Sequence, residues 1–355
     1  MDIGILRERA GETRVALVPT DAARLVEAGH RVFLAKGAGS AAGFDDASYV
    51  AAGAKPIPTE AELVRRSGIV LLVAPPDREL CAALRPDHLV GAFLNLGSDL
   101  TRIDRLRRSG ALALAYECVG TDDDYPIARA TDVVIGEAAL DLGLELARTL
   151  GHTQPRTLVL GSGDAARAAA ERAAHAKLDT LWLVSPGECD VASDQAGLVI
   201  ARSTPQDLEG ALADRPLVIA AERAPGGRRA PTALRRDDVA RMAKDSVLVD
   251  AAADQGCCAE TSRPTTRHHP TTSRSGVLHC AWPGLASRDP ARASTALSNA
   301  LLPYVLELAR HGFARAAQGN PAIASGLAIA KGALTHAHIA RGFGLPCQPT
   351  TTLLA

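Results

Sequence analysis

Apolar residues in the first third of the chain come in short unbroken runs, separated by stretches with helical spacing. "DIGIL" (2–6), "RVFLA" (31–35), "IVLLV" (69–73), "LVGAFLNLG" (89–97) and "ALALAY" (111–116) read as strands. Between them, Pro19-Thr20 opens a helix, with Thr20 expected at the N-cap and Ala22, Leu25 and Val26 on its apolar face. "EAELVRRSG" and "LTRIDRLRRSG" are helical, the second clearly amphipathic. Strands that are apolar throughout, rather than alternating, belong to a parallel sheet covered by helices on both faces.

The rhythm pauses at 131–150, a long Ala/Leu-rich helix, and restarts at 155–187 with strand, Gly turn, helix and strand. "LVI", "PLVIAA" and "SVLVDAA" supply further strands, and "GVLHCAW" (276–282) the last. "TSRPTTRHHPTTSRS" reads as a polar, Thr-rich loop. From Pro290 a long helix is expected, kinked near Pro303, followed by shorter helical pieces to the C-terminus. No internal repeat stands out.

Composition narrows the function classes. A chain of 355 residues can hold two domains with cores of their own. Its 39 basic and 40 acidic residues nearly cancel, so no basic face points to nucleic acid. No apolar run approaches the ~20 residues that span a bilayer. The opening "MDIGILRERAGE" has no signal-peptide layout, and a cytoplasmic location is expected. Seven scattered cysteines are not a disulfide framework. Cys257-Cys258, His268-His269 and His279-Cys280 lack the spacing of a zinc site, so no metal is expected.

One turn carries recognisable chemistry. Gly161-Ser162-Gly163-Asp164-Ala165-Ala166 follows an apolar strand and opens an Ala-rich helix, which is G-x-G-x-x-A in the context of a dinucleotide site. The first Gly makes a tight turn, the second lets pyrophosphate approach N–H groups at a helix N-terminus, and Ala166 permits close helix–strand packing. An acid to hold the ribose 2′-OH is expected at the end of "TLWLV", where Ser185 stands; Ser185 joins Gly161, Ser162, Gly163 and Ala166 as a candidate cofactor-binding residue. Without the acid, NAD and NADP both remain open, although no Arg follows closely to hold a 2′-phosphate; Asp164 puts a negative charge near where phosphate would sit, so a Rossmann-like domain that has kept its shape and lost its ligand is open as well.

Longer stretches carry a family resemblance. "SVLVDAAADQGCCAETSRPTT", "GVLHC", "ALSNALLPYVLELARHG", "NPAIASGL" and "KGAL" resemble alanine dehydrogenase and, more widely, the nicotinamide nucleotide transhydrogenase α-subunit. The opening "MDIGILRERAGETRVALVPTDAARLVEAGHRVFLAKGAGSAAGFDDASYVAAGA" and "AYECV" agree. The resemblance implies a two-domain α/β fold, with a Rossmann-type nucleotide domain (129–289) inserted into a flavodoxin-like α/β substrate domain (1–128 and 290–355). It implies a homo-oligomer, with hexamers common in the family. It also implies hydride transfer between an amino acid and NAD or NADP, the imine being hydrolysed to a 2-oxo acid and ammonia.

Site residues follow from the same resemblance. Arg14 corresponds to the Arg that binds the substrate carboxylate, Asp254 to an Asp that assists the chemistry, and Asn299 to an Asn near the nicotinamide. Other family positions differ. A substrate-contacting Lys is replaced, with Ala74 in the best-aligned place, and the His of the acid/base step is replaced by Asn95. A Ser near the cofactor phosphates corresponds to Asp132. Asn95 can polarise a carbonyl or amine but cannot exchange a proton during turnover. Three functions are compatible with this pattern: a dehydrogenase of altered site, a homologue without turnover that serves a structural or sensing role, and a redirected enzyme such as an imine reductase or lyase.

Overall fold

The structure, a computed structural model, describes residues 1–9, 11–121, 124–184, 197–202 and 204–353. The chain divides into two compact units, Met1–Thr131 with Pro225–Arg228 and Asp289–Ala355, and Asp132–Ala224 with Arg229–Arg288.

The first unit begins with β1 (Asp2–Ile5), β2 (Arg31–Ala35), β3 (Lys55–Ile57), β4 (Ile69–Leu71), β5 (Leu89–Ala92) and β6 (Leu112–Ala115). The second unit holds β7 (Thr157–Leu160), β8 (Thr180–Val184), β9 (Leu198–Arg202), β10 (Leu217–Ala220), β11 (Ser246–Asp250), β12 (Thr272–Arg274) and β13 (Val277–Cys280). The chain then adds β14 (Leu327–Ala330) and β15 (Ala333–Leu334) to the first sheet.

The first sheet has the order β15-β14-β6-β5-β4-β1-β2-β3, parallel from β6 to β3. Without the short edge strand β3, the parallel strands keep the flavodoxin order; β3 extends it to 3-2-1-4-5-6. The second sheet, β12-β13-β11-β10-β7-β8-β9, has the same 3-2-1-4-5-6 order in its parallel part, which is the Rossmann order. Each sheet therefore has one point where its connections reverse direction, between β1 and β4 in the first and between β7 and β10 in the second. Ligands of open α/β sheets bind at the carboxyl ends of the strands flanking such a point.

The unbroken apolar runs are explained by burial on both faces. Ile3, Ile5, Ile69, Leu71, Leu89 and Val90 are fully buried in the first unit, and Leu158, Val218 and Leu248 in the second. Three local expectations are corrected. The first helix is Pro19–Glu27, with Val18 at the N-cap and Pro19 in its first turn; Thr20 is already helical. Pro is suited to that position because its missing N–H would have no partner there. Part of the Thr-rich stretch forms β12, antiparallel to β13. Its three residues are all exposed, so no apolar pattern announces it. In place of helical pieces alone, 327–334 forms β14 and β15, which run antiparallel to each other, with β14 antiparallel to β6. The helix Pro290–His311 carries Pro303 within it, as expected.

Candidate active site

In the first unit, the loop after β1 is fastened at both ends. Glu8 accepts the backbone N–H of Val73 (2.6 Å) and of Ala74 (3.1 Å), just beyond β4. Farther along, the hydroxyls of Ser294 and Ser298 accept the N–H groups of Val15 (2.9 Å) and Val18 (3.0 Å). Arg14 lies between these anchors and is buried. Its Nε and Nη2 reach the two oxygens of Glu12 at 2.9 and 2.7 Å, so Glu12 fixes the plane of the guanidinium. The Arg14 guanidinium carbon lies 6.0 Å from the centre of the Phe93 ring, which in turn meets Tyr116 edge-on at 5.5 Å.

Glu8 has a carboxyl pushed up from 4.5 to about 8, first by burial and then by the neighbouring Glu12 charge; the two N–H bonds and Arg14 oppose the rise. Asn95 follows β5 in the left-handed region, φ 47°, a conformation that Asn tolerates better than most residues. Its N–H and that of Leu94 donate to Glu117 at 2.6 and 3.0 Å. Glu117 is buried and is raised to about 7 by that burial. The Asn95 carboxamide has no hydrogen-bond partner among the described residues. Asn299 is on the exposed side of the helix Pro290–His311.

In the second unit, Gly161 ends β7 with φ +123°. A Cβ there would stand 2.6 Å from the Ala221 carbonyl oxygen and 2.9 Å from the Glu222 nitrogen, so the turn presses directly on the chain leaving β10. The Trp182 indole N–H donates to the Gly161 carbonyl at 2.7 Å and holds the turn from the other side. Gly163 is the N-cap of the helix Asp164–His175, and a Cβ there would meet nothing within 4 Å. Ala166 is fully buried and Ser162 half-buried. A tight first Gly, an open second Gly and a 12-residue helix that begins there fit the pyrophosphate of a dinucleotide. Ser185 lies outside the described residues.

Asp254 follows β11, and both of its oxygens meet Arg223: Nη1 at 2.6 Å and Nη2 at 2.9 Å. Arg223 also donates to the Asp132 carboxylate (2.9 Å) and to the Ala251 carbonyl (2.7 Å). Burial works against the Arg223 charge, but Asp132 and Asp254 more than offset it and hold the guanidinium protonated. Burial raises Asp132 to about 6 against the pull of Arg223. Capping of the turn after β11 falls to a different carboxylate. Asp250 accepts the N–H groups of Ala252, Cys258 and Ala259 at 3.0–3.2 Å.

The candidate metal ligands are placed plainly. Cys258 is buried, and His279 meets the Thr261 hydroxyl (2.8 Å) and the Val277 carbonyl (3.1 Å). Among the described residues, no group of three or more His, Cys, Asp or Glu is arranged to hold a metal ion. Six described cysteines are all free. No helix among the described residues is long and apolar enough to cross a membrane.

Residues 4–129 match the model for the alanine dehydrogenase/PNT N-terminal domain, and 141–337 match that for the C-terminal domain. The chain belongs to the alanine dehydrogenase/PNT family. Within that family it is 34% identical to an alanine dehydrogenase of Mycobacterium tuberculosis over 372 residues, covering all of both chains. It is 30% identical to the alanine dehydrogenase of Bacillus subtilis, covering all of this chain and 98% of that one. A solved L-alanine dehydrogenase superposes with a TM-score of 0.84 at 30% identity, over 97% of this chain and 99% of the other. A transhydrogenase of Sinorhizobium meliloti shares the fold, with a TM-score of 0.76 at 20% identity over 95% of this chain.

Sequence reasoning about this family member missed Glu8, Glu12 and Arg223. "LRERAGETR" contains both glutamates, but nothing in their spacing marks one as a backbone acceptor and the other as an Arg partner. Arg223 had a faint signal: it is the second of two adjacent charges, Glu222 and Arg223, that follow the apolar run "PLVIAA".

Proposed function

We propose that this chain is an alanine-dehydrogenase-like oxidoreductase with an altered active site, acting on an amino acid, a 2-oxo acid or the imine between them. The observation that carries this reading is the Gly161–Gly163 turn, tight against β10 and open above the helix N-terminus, in a chain that matches alanine dehydrogenases from end to end. NAD or NADP would be held by the backbone of that turn and by the first N–H groups of the helix Asp164–His175, with Ser162, Ala166 and Ser185 in the same role. When bound, the nucleotide supplies or accepts the hydride.

The chain's own residues do the rest. Arg14, aligned by Glu12, binds the substrate carboxylate, a task suited to a planar guanidinium. Asn95 offers its carboxamide to the carbonyl oxygen or amine, and it has no proton to give up. Asp254 assists the chemistry as a carboxylate gripped by Arg223, and Asn299 contributes an amide near the reacting end. Within this proposal the protein is cytoplasmic, assembles as a homo-oligomer with a hexamer as the family's common form, and takes a small-molecule substrate.

A second reading is favoured by one observation. Both oxygens of Asp254 are already occupied by Arg223, and Asn95 stands where a proton-transferring His would serve. That combination suits a homologue without turnover in a structural or sensing role, or an enzyme redirected to a different imine.

Calorimetric titration of the purified protein with NADH and with NADPH separates these readings, followed by a panel of amino and 2-oxo acids. Micromolar binding with turnover of any panel member supports the oxidoreductase. No binding at millimolar nucleotide eliminates it. Binding without turnover of alanine or pyruvate points to the redirected enzyme.

A further inference from the structure

The first sheet reverses its connections between β1 and β4, and the Glu8 side chain, from the loop after β1, reaches the backbone just beyond β4. Its two oxygens take the N–H groups of Val73 and Ala74, so the carboxyl is held in place by rigid backbone rather than by a flexible partner. Ala74 is the position best aligned with the family's substrate-contacting Lys. Glu8 therefore lies against the backbone where that side chain is gone, and it is half-buried rather than sealed.

The surroundings fit a proton-exchanging group. Facing Glu8 from its own loop are Glu12, which disfavours its charge, and Arg14, which favours it. From the end of β6 comes Tyr116, fully buried and electrostatically coupled to Glu8, whose hydroxyl has no hydrogen-bond partner among the described residues. From the segment after β4 come the two N–H groups of Val73 and Ala74. Two N–H donors alone would hold a carboxylate below its ordinary range. Here burial outweighs them and pushes the Glu8 carboxyl up to about 8, a range in which a group can both give and take a proton near neutral pH.

We propose that Glu8 is the proton-transferring residue of this chain's reaction, filling the role that Asn95 cannot. The inference rests on the oxidoreductase reading above. In the reductive direction the Glu8 O–H bond breaks, and its proton goes to the hydroxyl oxygen of the carbinolamine formed from a 2-oxo acid and ammonia. The C–O bond then breaks, water leaves, and the nitrogen lone pair forms the C=N bond that takes the hydride from the pyridine nucleotide. In the oxidative direction water adds to the imine carbon, and its proton returns to the Glu8 carboxylate.

The test compares wild type with E8Q and E8D, using nucleotide titration and thermal melting to show that each variant is folded. With a substrate found in the panel, E8Q is expected to lose ~10²–10⁴-fold in kcat/KM and to lose the ionisation near pH 8 from its pH profile. E8D, which keeps a carboxyl, retains that ionisation at reduced rate. A folded E8Q with wild-type kcat/KM and an unchanged profile overturns the inference while leaving the oxidoreductase reading intact. Wild-type protein that turns over no panel member overturns both. If E8Q does not fold, infrared titration of wild type and E8D decides: a carboxylic C=O band that disappears near pH 8 and is shifted in E8D supports the assignment, and a band that is absent or unchanged in E8D overturns it.

Discussion

Arg223 holds Asp254 through both of its terminal guanidinium nitrogens, at 2.6 and 2.9 Å, while its Nε holds Asp132 at 2.9 Å. One cation thus joins the long helix Pro126–Thr149 to the turn after β11, and its side chain is only 8% exposed. Removing one partner of a buried ion pair leaves the other charges uncompensated. Arg223→Leu is therefore expected to cost ~3–5 kcal/mol, read as a lower urea midpoint. Asp132→Asn in the same background should recover part of the loss, because it removes one of the two stranded carboxylates. Equal stability of R223L and wild type would show that the pair is idle.

Gly161 and Gly163 should respond oppositely to alanine. At Gly161 the new Cβ meets backbone atoms at 2.6 and 2.9 Å with φ +123°, and neither neighbour can step aside cheaply. G161A should destabilise the second unit strongly. At Gly163 there is open space and an ordinary φ of −83°, so G163A should stay within about 1 kcal/mol of wild type. If the turn carries nucleotide, G163A should still weaken NADH binding tenfold or more by calorimetry, because its methyl would occupy the approach to the N–H groups.

Ser298 anchors the Arg14 loop. Its hydroxyl accepts from Val18 N–H at 3.0 Å and donates to Asp21 at 2.5 Å, wholly buried. S298A strands a buried N–H and should cost ~1–3 kcal/mol. Thr295→Ala, on the exposed face of the same helix, should stay within about 0.5 kcal/mol. Chemical denaturation of both variants checks the difference.

Arg14→Lys replaces a planar fork with a point charge and abandons the paired bonds to Glu12. Hydrogen bonds to charged groups are worth ~1.5–3 kcal/mol, so KM for the 2-oxo acid should rise ~10–100-fold, with a smaller change in kcat. An unchanged KM would remove Arg14 from carboxylate binding.

Glu8 makes a signed prediction for stability against pH. Its folded value of about 8 exceeds the ordinary 4.5, so between these values the folded protein keeps a proton that the unfolded chain has released. The stability it contributes is complete below pH 4.5 and is lost as pH rises through about 8. E8Q cannot release a proton there. Urea midpoints measured from about pH 5 to about pH 9 should therefore shift in favour of E8Q relative to wild type, then level off.

Much of this architecture was legible in the residues themselves. Unbroken apolar runs such as Ile69–Leu71 and Val247–Val249 mark strands buried on both faces, because a one-sided strand would alternate. The Gly161–Ala166 pattern announced a turn between strand and helix, because its chemistry is local. Arg14 and Asp254 were legible as candidates through the stretches that carry the family resemblance. The exposed strand β12 was not, because its three side chains face water and only its pairing with β13 defines it. Strands β14 and β15 were hidden for a related reason: their short segments become a sheet edge only beside β6.

Partnership was decided by tertiary structure alone. Glu8 meets Val73 and Ala74 across more than sixty residues, Val15 meets Ser294 across 279, and Arg223 meets Asp132 across 91. Periodicity records which way a side chain faces, and it carries no information on which distant polar group will arrive there. Two carboxylates with the same sequence-level appearance, Asp250 and Asp254, thus came to different ends. One was buried under its own turn's N–H groups, and the other was held by an arginine from the loop after the neighbouring strand β10. Which carboxyl keeps a proton and which is tied into an ion pair depends on burial and on the charges within a few ångströms, and folding alone sets both.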